Sequence, residues 1–265
     1  IKLTKSDLSN FGLVIYDEIH KYCTEKYHKI FELCQFKYIL GLSATPKHRI
    51  DGFDKISHLW VGNIIETAKL DGYKNNLAKI TGKVEVIRFD NKYPYKSIQY
   101  NDAGGVSTIK TIQHICEDPR RTSWILNSVL RLVKLDKCVY TFSEERNRTI
   151  KLNALIQKIL KYDIRIIDRY EFNNDSKLIQ SLSLIGNYSN ADFELAKSDA
   201  KIIFTTYALL EAGANIPKQT SMIYDTPRKN GYIQIVGRIK RQNEKFNDIE
   251  RIVIDFIDDK LFLRK

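Results

Sequence analysis

The run Leu13-Val14-Ile15-Tyr16 is apolar without a break and stops at two acids, Asp17 and Glu18. A short β-branched run of this kind predicts a buried parallel strand. Over residues 22–34 the groups Tyr22, Tyr27, Ile30, Phe31 and Cys34 recur at helical spacing and predict a helix. Tyr38-Ile39-Leu40-Gly41-Leu42 predicts a second buried strand. It is closed by Ser43-Ala44-Thr45-Pro46, where proline has no N–H to continue a ladder. Residues 51–60 carry Phe53, Ile56 and Trp60 on one side and predict another helix. Strand and helix alternate, which is the rhythm of an α/β layer.

Between residues 69 and 110 that rhythm breaks. Val84 to Phe89 is strand-like, but Tyr93-Pro94-Tyr95 and Ala103-Gly104-Gly105 are turn chemistry. This stretch reads as a connection between domains with a small ordered insert. Asp118-Pro119 then marks a helix start, an N-cap acid followed by proline in the first turn. Ile125, Val129, Leu132 and Val133 line one face of that helix. Cys138 to Ser143 predicts a buried strand, and residues 145–160 an amphipathic helix. Further strands are expected at Ile164–Ile167, Lys201–Thr205, Met222–Tyr224 and Arg251–Phe256. A second α/β domain therefore begins near residue 115. No internal repeat or low-complexity tract is present.

Lys and Arg number 43 against 32 Asp and Glu, a formal net charge of +11 over 265 residues. A positive surface gains by releasing counterions from a phosphate backbone, so the balance favours a polyanionic partner. Cys23, Cys34, Cys116 and Cys138 are scattered and form no C-x-x-C pair. That argues against zinc and a disulfide framework and fits a reducing, intracellular setting. No apolar stretch approaches the roughly 18–20 residues needed to span a bilayer.

Asp17 and Glu18 follow directly on a strand, and in open α/β sheets the carboxyl ends of strands face the ligand crevice. One acid there can anchor Mg2+ through water while the other orients and deprotonates an attacking water. A polar turn accounts for the same residues, and His20 reads equally as an ordinary polar contact. Ser43 and Thr45 can bind the acid turn or simply precede Pro46. Thr205-Thr206 and the Gly213-Ala214-Asn215-Ile216-Pro217 segment can hold a phosphate, or form a strand end and a loop. Gln234, Arg238 and Arg241 lie on one helical face, with the two arginines at i and i+3. Guanidinium forks there suit phosphate, although a basic surface helix has the same pattern.

Taken in order, Asp17-Glu18-Ile19-His20, Ser43-Ala44-Thr45, Thr205-Thr206 with Gly213 to Pro217, and Gln234 to Arg241 resemble the later two-thirds of a superfamily 2 helicase or translocase core of the DExH type. Within it, Asp118-Pro119-Arg120-Arg121 and Thr205-Thr206-Tyr207 are similar to helicases of large DNA viruses and phages, and to excision-repair and transcription helicases. The resemblance implies an α/β fold of parallel sheets flanked by helices. Residues 1–68 would be the C-terminal part of a first RecA-like domain, 69–114 the connection and 115–265 a second RecA-like domain. It implies ATP and Mg2+ as cofactors, with ATP hydrolysed between the two domains. The nucleic-acid partner would be DNA in preference to RNA, in the nucleus, the cytoplasm, a viral replication site or the virion.

By the same resemblance Asp17 organises Mg2+ through water and Glu18 polarises the attacking water. Gln234, Arg238 and Arg241 reach the triphosphate, with Arg241 as the arginine finger. Gly213 and Asn215 belong to the nucleotide site. Ser43 and Thr45 couple hydrolysis to movement, and Ser143, Thr205 and Thr206 touch the nucleic-acid backbone.

Two departures stand out. Asn215 takes the place of the family's usual acid in the G-x-D-x-P segment. No G-x-x-x-x-G-K-[S/T] loop occurs in these 265 residues, and Gly82-Lys83 is followed by Val84. The chain alone is therefore expected to hydrolyse little ATP and to need an upstream half of the same protein. The alternative is a truncated, ATPase-inactive nucleic-acid-binding or scaffold module. A third reading, the motor subunit of a restriction system, requires a nuclease domain that these residues do not supply.

Overall fold

The computed structural model describes residues 11–32, 36–43, 52–70, 82–162, 179–186, 188–211, 218–227, 237, 239 and 249–258. The chain divides into two compact units, Ile1–Leu77 and Ala78–Lys265.

In the first unit β1 (Leu13–Tyr16) pairs in parallel with β2 (Tyr38–Gly41), Leu13 opposite Tyr38 and Tyr16 opposite Gly41. A helix, α1 (Asp54–Trp60), follows. Side chains alternate between the two faces of a strand. Tyr16 therefore joins Ile19, Cys23 and Phe31 in a small core, its ring 5.0 Å from that of Phe31. Leu13 and Ile15 point the other way and are 51% and 54% exposed. The expectation of buried strands is corrected here: Tyr38 and Leu40 in β2 are exposed as well. A parallel strand is buried on both sides only when a layer covers each face. Among the described residues one face is covered.

Among the described residues of 22–34, the expected helix is replaced by turns and a short 3-10 helix, His28–Glu32. Thr24 Oγ1 accepts from the Tyr27 N–H at 3.3 Å and its carbonyl from the His28 N–H at 2.9 Å, an N-cap arrangement that starts this short piece.

The second unit is built on six parallel strands: β3 (Gly82–Phe89), β4 (Val139–Ser143), β5 (Ser181–Leu184), β6 (Ile202–Thr206), β7 (Ser221–Tyr224) and β8 (Arg251–Asp258). Their order is β3-β8-β7-β4-β6-β5. The helices are α2 (Thr108–Cys116), α3 (Pro119–Lys134), α4 (Arg146–Tyr162), α5 (Asn190–Ser198) and α6 (Tyr207–Glu211). Alternation along the central strands loads both faces of the sheet. Val139, Ile202, Phe204, Ile223, Ile252 and Ile254 pack with Ile125, Val129 and Leu132 of α3 and with Leu152 and Ile156 of α4. Tyr140, Phe142, Ile203, Met222 and Val253 form the opposite core with Ala196 and Tyr207. Every residue of β4 and β6 is buried, as continuous apolar strands in a parallel sheet require.

The start of α3 follows its sequence signal. The Asp118 side chain accepts from the Arg120 N–H at 2.9 Å, with proline in the first turn. The stretch expected to connect two domains is organised differently. β3 pairs along its whole length with β8, from Gly82–Arg251 to Phe89–Asp258, and so adds an edge strand to the second unit's sheet. The strand expected at Ile164–Ile167 lies outside the described residues.

Candidate functional site

The acid turn sits at the end of β1. Glu18 adopts a left-handed conformation, φ 51° and ψ 50°, that costs a non-glycine residue on the order of 1–3 kcal/mol. Its N–H donates to Asp17 Oδ1 at 3.0 Å. The chain on either side is clamped to the neighbouring strand end. Ile19 N–H donates to the Leu42 carbonyl, and Leu42 N–H to the Tyr16 carbonyl, each at 2.9 Å. Gly41 allows this close passage, since a Cβ there would stand 2.5 Å from Ile19 Cδ1.

The clamp brings His20 and Ser43 together, with Nδ1 and Oγ 2.8 Å apart. The same Nδ1 is 3.2 Å from Glu18 Oε2, close enough for attraction when the imidazole is protonated, although that oxygen makes no hydrogen bond. Glu18, His20 and Ser43 thus form one chain of polar contacts beneath an exposed Asp17. Thr45 lies outside the described residues.

In the second unit the sequence-predicted hydroxyls end adjacent strands. Ser143 is in register with Thr206, and Phe142 with Thr205. All three polar residues are buried, Ser143 completely. Ser143 Oγ accepts from the Glu145 N–H at 3.4 Å, and Thr205 Oγ1 is without a hydrogen-bond partner. Hydroxyls expected to reach a phosphate backbone are therefore buried at the strand ends. Gly213, Asn215, Gln234, Arg238 and Arg241 fall outside the described residues. Within that last motif, Gly237 and Ile239 are helical. Ile239 is buried in the second core and accepts from Arg251 Nε through its carbonyl at 3.0 Å.

Sequence reasoning missed two features at the carboxyl edge of this sheet. Thr226 ties the ends of β4 and β7 to the start of α6: its Oγ1 accepts from the Glu144 N–H and its carbonyl from the Tyr207 hydroxyl, both at 2.9 Å. Beside it lies a buried charge cluster. Arg148 donates from Nε to Asp225 Oδ2 at 2.9 Å and from Nη2 to Oδ1 at 3.2 Å. Its Nη1 donates to the Cys116 carbonyl and to Thr122 Oγ1. Arg121 donates to Asp258 and to the Asp225 carbonyl, and Asn91 Nδ2 donates to Asp258 Oδ1 at 2.9 Å.

Burial works against the charge on both arginines, yet Asp258 beside Arg121 and Asp225 beside Arg148 hold them above their usual values. For Asp258 burial is the larger influence and raises its carboxyl above the usual range, against the pull of Arg121. The signal was present in the chain. Arg121 lies on the same helical stripe as Ile125 and Val129, and Arg148 on that of Leu152 and Ile156. A charge on an apolar stripe has to find its counter-charge in the core.

Residues 2–48 match the family model described as "Type III restriction enzyme, res subunit". The chain is 32% identical over 251 residues to "Putative ATP-dependent RNA helicase QP509L" of African swine fever virus (isolate Warthog/Namibia/Wart80/1980), covering 94% of this chain and 47% of the relative. It is 23% identical to "DNA 3'-5' translocase XPB2" of Sulfurisphaera tokodaii, over 94% of this chain and 59% of that protein. The solved helicase domain of Hef from Pyrococcus furiosus superposes over 97% of this chain and 73% of that domain, with TM-score 0.51 at 10% identity.

The likeness to the solved Hef domain shows the fold, α/β with parallel strands flanked by helices. The chain spans about half the length of the viral relatives it matches, 47% of the African swine fever virus protein.

Proposed function

We propose that the full-length protein is a nucleic-acid-dependent ATPase that drives helicase or translocase movement, and that this chain carries part of its motor. The observation that carries this reading is the linked Glu18–His20–Ser43 turn, clamped at a strand end beside the exposed Asp17. It places two carboxylates where a parallel sheet presents ligands. The comparisons support the reading through relatives named as ATP-dependent helicases and as a translocase.

The residues suit a nucleotide-bound magnesium ion. Among the described residues no group of three or more His, Cys, Asp or Glu side chains could hold a metal. Mg2+ needs none, because one or two carboxylates and the substrate's phosphates complete its shell. Bound there, Mg2+ supplies charge neutralisation on the phosphates of ATP. Asp17 would hold the ion. Glu18, its side chain 37% exposed at the turn, orients a water and takes its proton. His20 and Ser43 report the state of that carboxylate to the neighbouring strand end. Gln234, Arg238 and Arg241 supply donors and positive charge to the triphosphate, and Gly213 and Asn215 complete its surroundings. The partner is nucleic acid, with DNA preferred to RNA; Thr45, Ser143, Thr205 and Thr206 shape the loops that meet it.

Phosphate release by the full-length protein, measured with and without single-stranded DNA or RNA, tests this. Nucleic acid is expected to stimulate turnover. Glu18→Gln is expected to lower kcat about a hundredfold or more with ATP binding retained. Nucleic-acid binding without any turnover would favour the scaffold reading instead.

A further inference from the structure

The strand-end hydroxyls of the second unit are buried. Among the described residues, exposed aromatic side chains are carried by the segment between β3 and α2. It leaves the carboxyl edge of the sheet, where Asn91 is bonded to Asp258 at the end of β8. Two of its side chains are unusually open for aromatics: Tyr93 is 90% exposed and Tyr100 57%. Val106 and Ile109 beside them are exposed too.

This exposure sits on a firmly built loop. Asn101 Oδ1 accepts from the N–H groups of Ala103 and Gly105 at 3.1 and 2.8 Å, and Asn101 N–H donates to the Gly105 carbonyl at 2.8 Å. Ser107 N–H donates to the Gln99 carbonyl at 2.8 Å, and Gln99 N–H to Thr111 Oγ1 at 3.0 Å. His114 Nε2 lies 2.8 Å from the Pro94 carbonyl, and its ring packs 5.7 Å from that of Tyr95. An apolar face held this rigidly loses little entropy when it binds.

From these observations we infer that Tyr93 and Tyr100 form a stacking platform for the bases of single-stranded nucleic acid. Charge selects the occupant. From Arg88 to His114 the chain carries Arg88, Lys92, Lys96 and Lys110 against Asp90 and Asp102; Lys96 pairs with Asp90 and Lys110 with Asp102, each at 3.0 Å, so the excess positive charge of the segment rests on Arg88 and Lys92. Aromatic faces interleaved with cations are the usual surface for unpaired strands, because every base has a π-face and every phosphate a charge. Placement agrees. Three strand spacings separate the ends of β3 and β4, about 14 Å in all. Four stacked nucleotides at about 3.4 Å each cover that distance. A strand lying along the carboxyl ends of β6 and β4 therefore reaches the platform. The inference deepens the proposed function and rests on it.

The test is fluorescence anisotropy of the full-length protein with labelled single-stranded DNA and RNA 20-mers and with an abasic 20-mer of equal charge. The Tyr93→Ala/Tyr100→Ala protein, its fold checked by circular dichroism, is expected to bind base-containing strands about fivefold or more weaker. Tyr93→Phe/Tyr100→Phe is expected to retain affinity. On the abasic strand all three proteins are expected to bind alike. A second readout needs no variant: 2-aminopurine in the bound strand is quenched when it stacks on a ring. Equal binding by the alanine protein, or equal weakening on the abasic strand, overturns the platform and leaves the proposed motor standing. Absence of binding by the wild-type protein to any strand overturns both.

Discussion

Arg148 holds Asp225 by two parallel bonds, Nε to Oδ2 at 2.9 Å and Nη2 to Oδ1 at 3.2 Å, with both side chains buried. The pair joins α4 to the end of β7, directly before Thr226 and the strand ends it ties. Breaking a buried pair leaves one charge uncompensated, which costs about 3–5 kcal/mol. Arg148→Met is therefore expected to lower the melting temperature of the second unit by roughly 10 °C. Arg148→Met combined with Asp225→Leu is expected to cost less than the sum of the two single changes, because no lone charge remains. Urea denaturation of the four proteins checks this; additive losses would count against a coupled pair.

Gly41→Ala probes the acid turn from below. The new Cβ meets Ile19 Cδ1 at 2.5 Å, so Ile19 has to move and the turn that carries Glu18 moves with it. Overpacking of this kind costs about 1–3 kcal/mol. Gly12→Ala is the control, because a Cβ there meets nothing within 4 Å. Trp60 stacks on Phe31 in this unit, so its fluorescence in a Trp124→Phe background reports unfolding of the first unit.

The Glu85 carboxyl gives the second unit a pH dependence. Partial burial alone would raise it, but bonds from Arg131 and Lys83 outweigh burial and hold it below its usual value. A carboxyl depressed on folding contributes stability above its unfolded value of 4.5, and that contribution is lost as pH falls through the lower folded value. Asp258, raised by burial, acts in the opposite sense and recovers stability as it protonates. Glu85→Gln is thus expected to flatten the acid limb of stability measured from pH 6 to 3. An unchanged limb would show that the Glu85 contacts carry no weight.

Burial also pushes the Cys116 thiol up to about 12. A thiol reacts as its thiolate, so Cys116 is expected to resist iodoacetamide at pH 8 in the folded protein and to react once urea unfolds it. Peptide mapping by mass spectrometry reads this directly. The partly exposed Cys138 serves as the internal comparison.

Periodicity and short-range chemistry were enough to locate β1, β4, β6, β7, β8, α3 and α4. Each depends on an apolar run, a helical stripe or a cap within a few residues of itself, as with Asp118 and Pro119 at the start of α3. The same local reading placed Asp17, Glu18 and Ser43 at strand ends. It went astray where distant packing decides: residues 22–32 form turns and a short 3-10 helix, and among the described residues no layer covers Leu13 and Ile15.

What the chain alone determined was therefore its α/β alternation, its two carboxylates after the first strand and its cationic balance, because these follow from the order of residues. The tertiary structure decided that β3 belongs to the second sheet through β8, that Arg121 and Arg148 find Asp258 and Asp225, and that Thr205 is buried while Tyr93 is open. Those outcomes depend on partners as far as 167 positions away, as between Asn91 and Asp258, and no local pattern encodes which distant surface will cover a side chain.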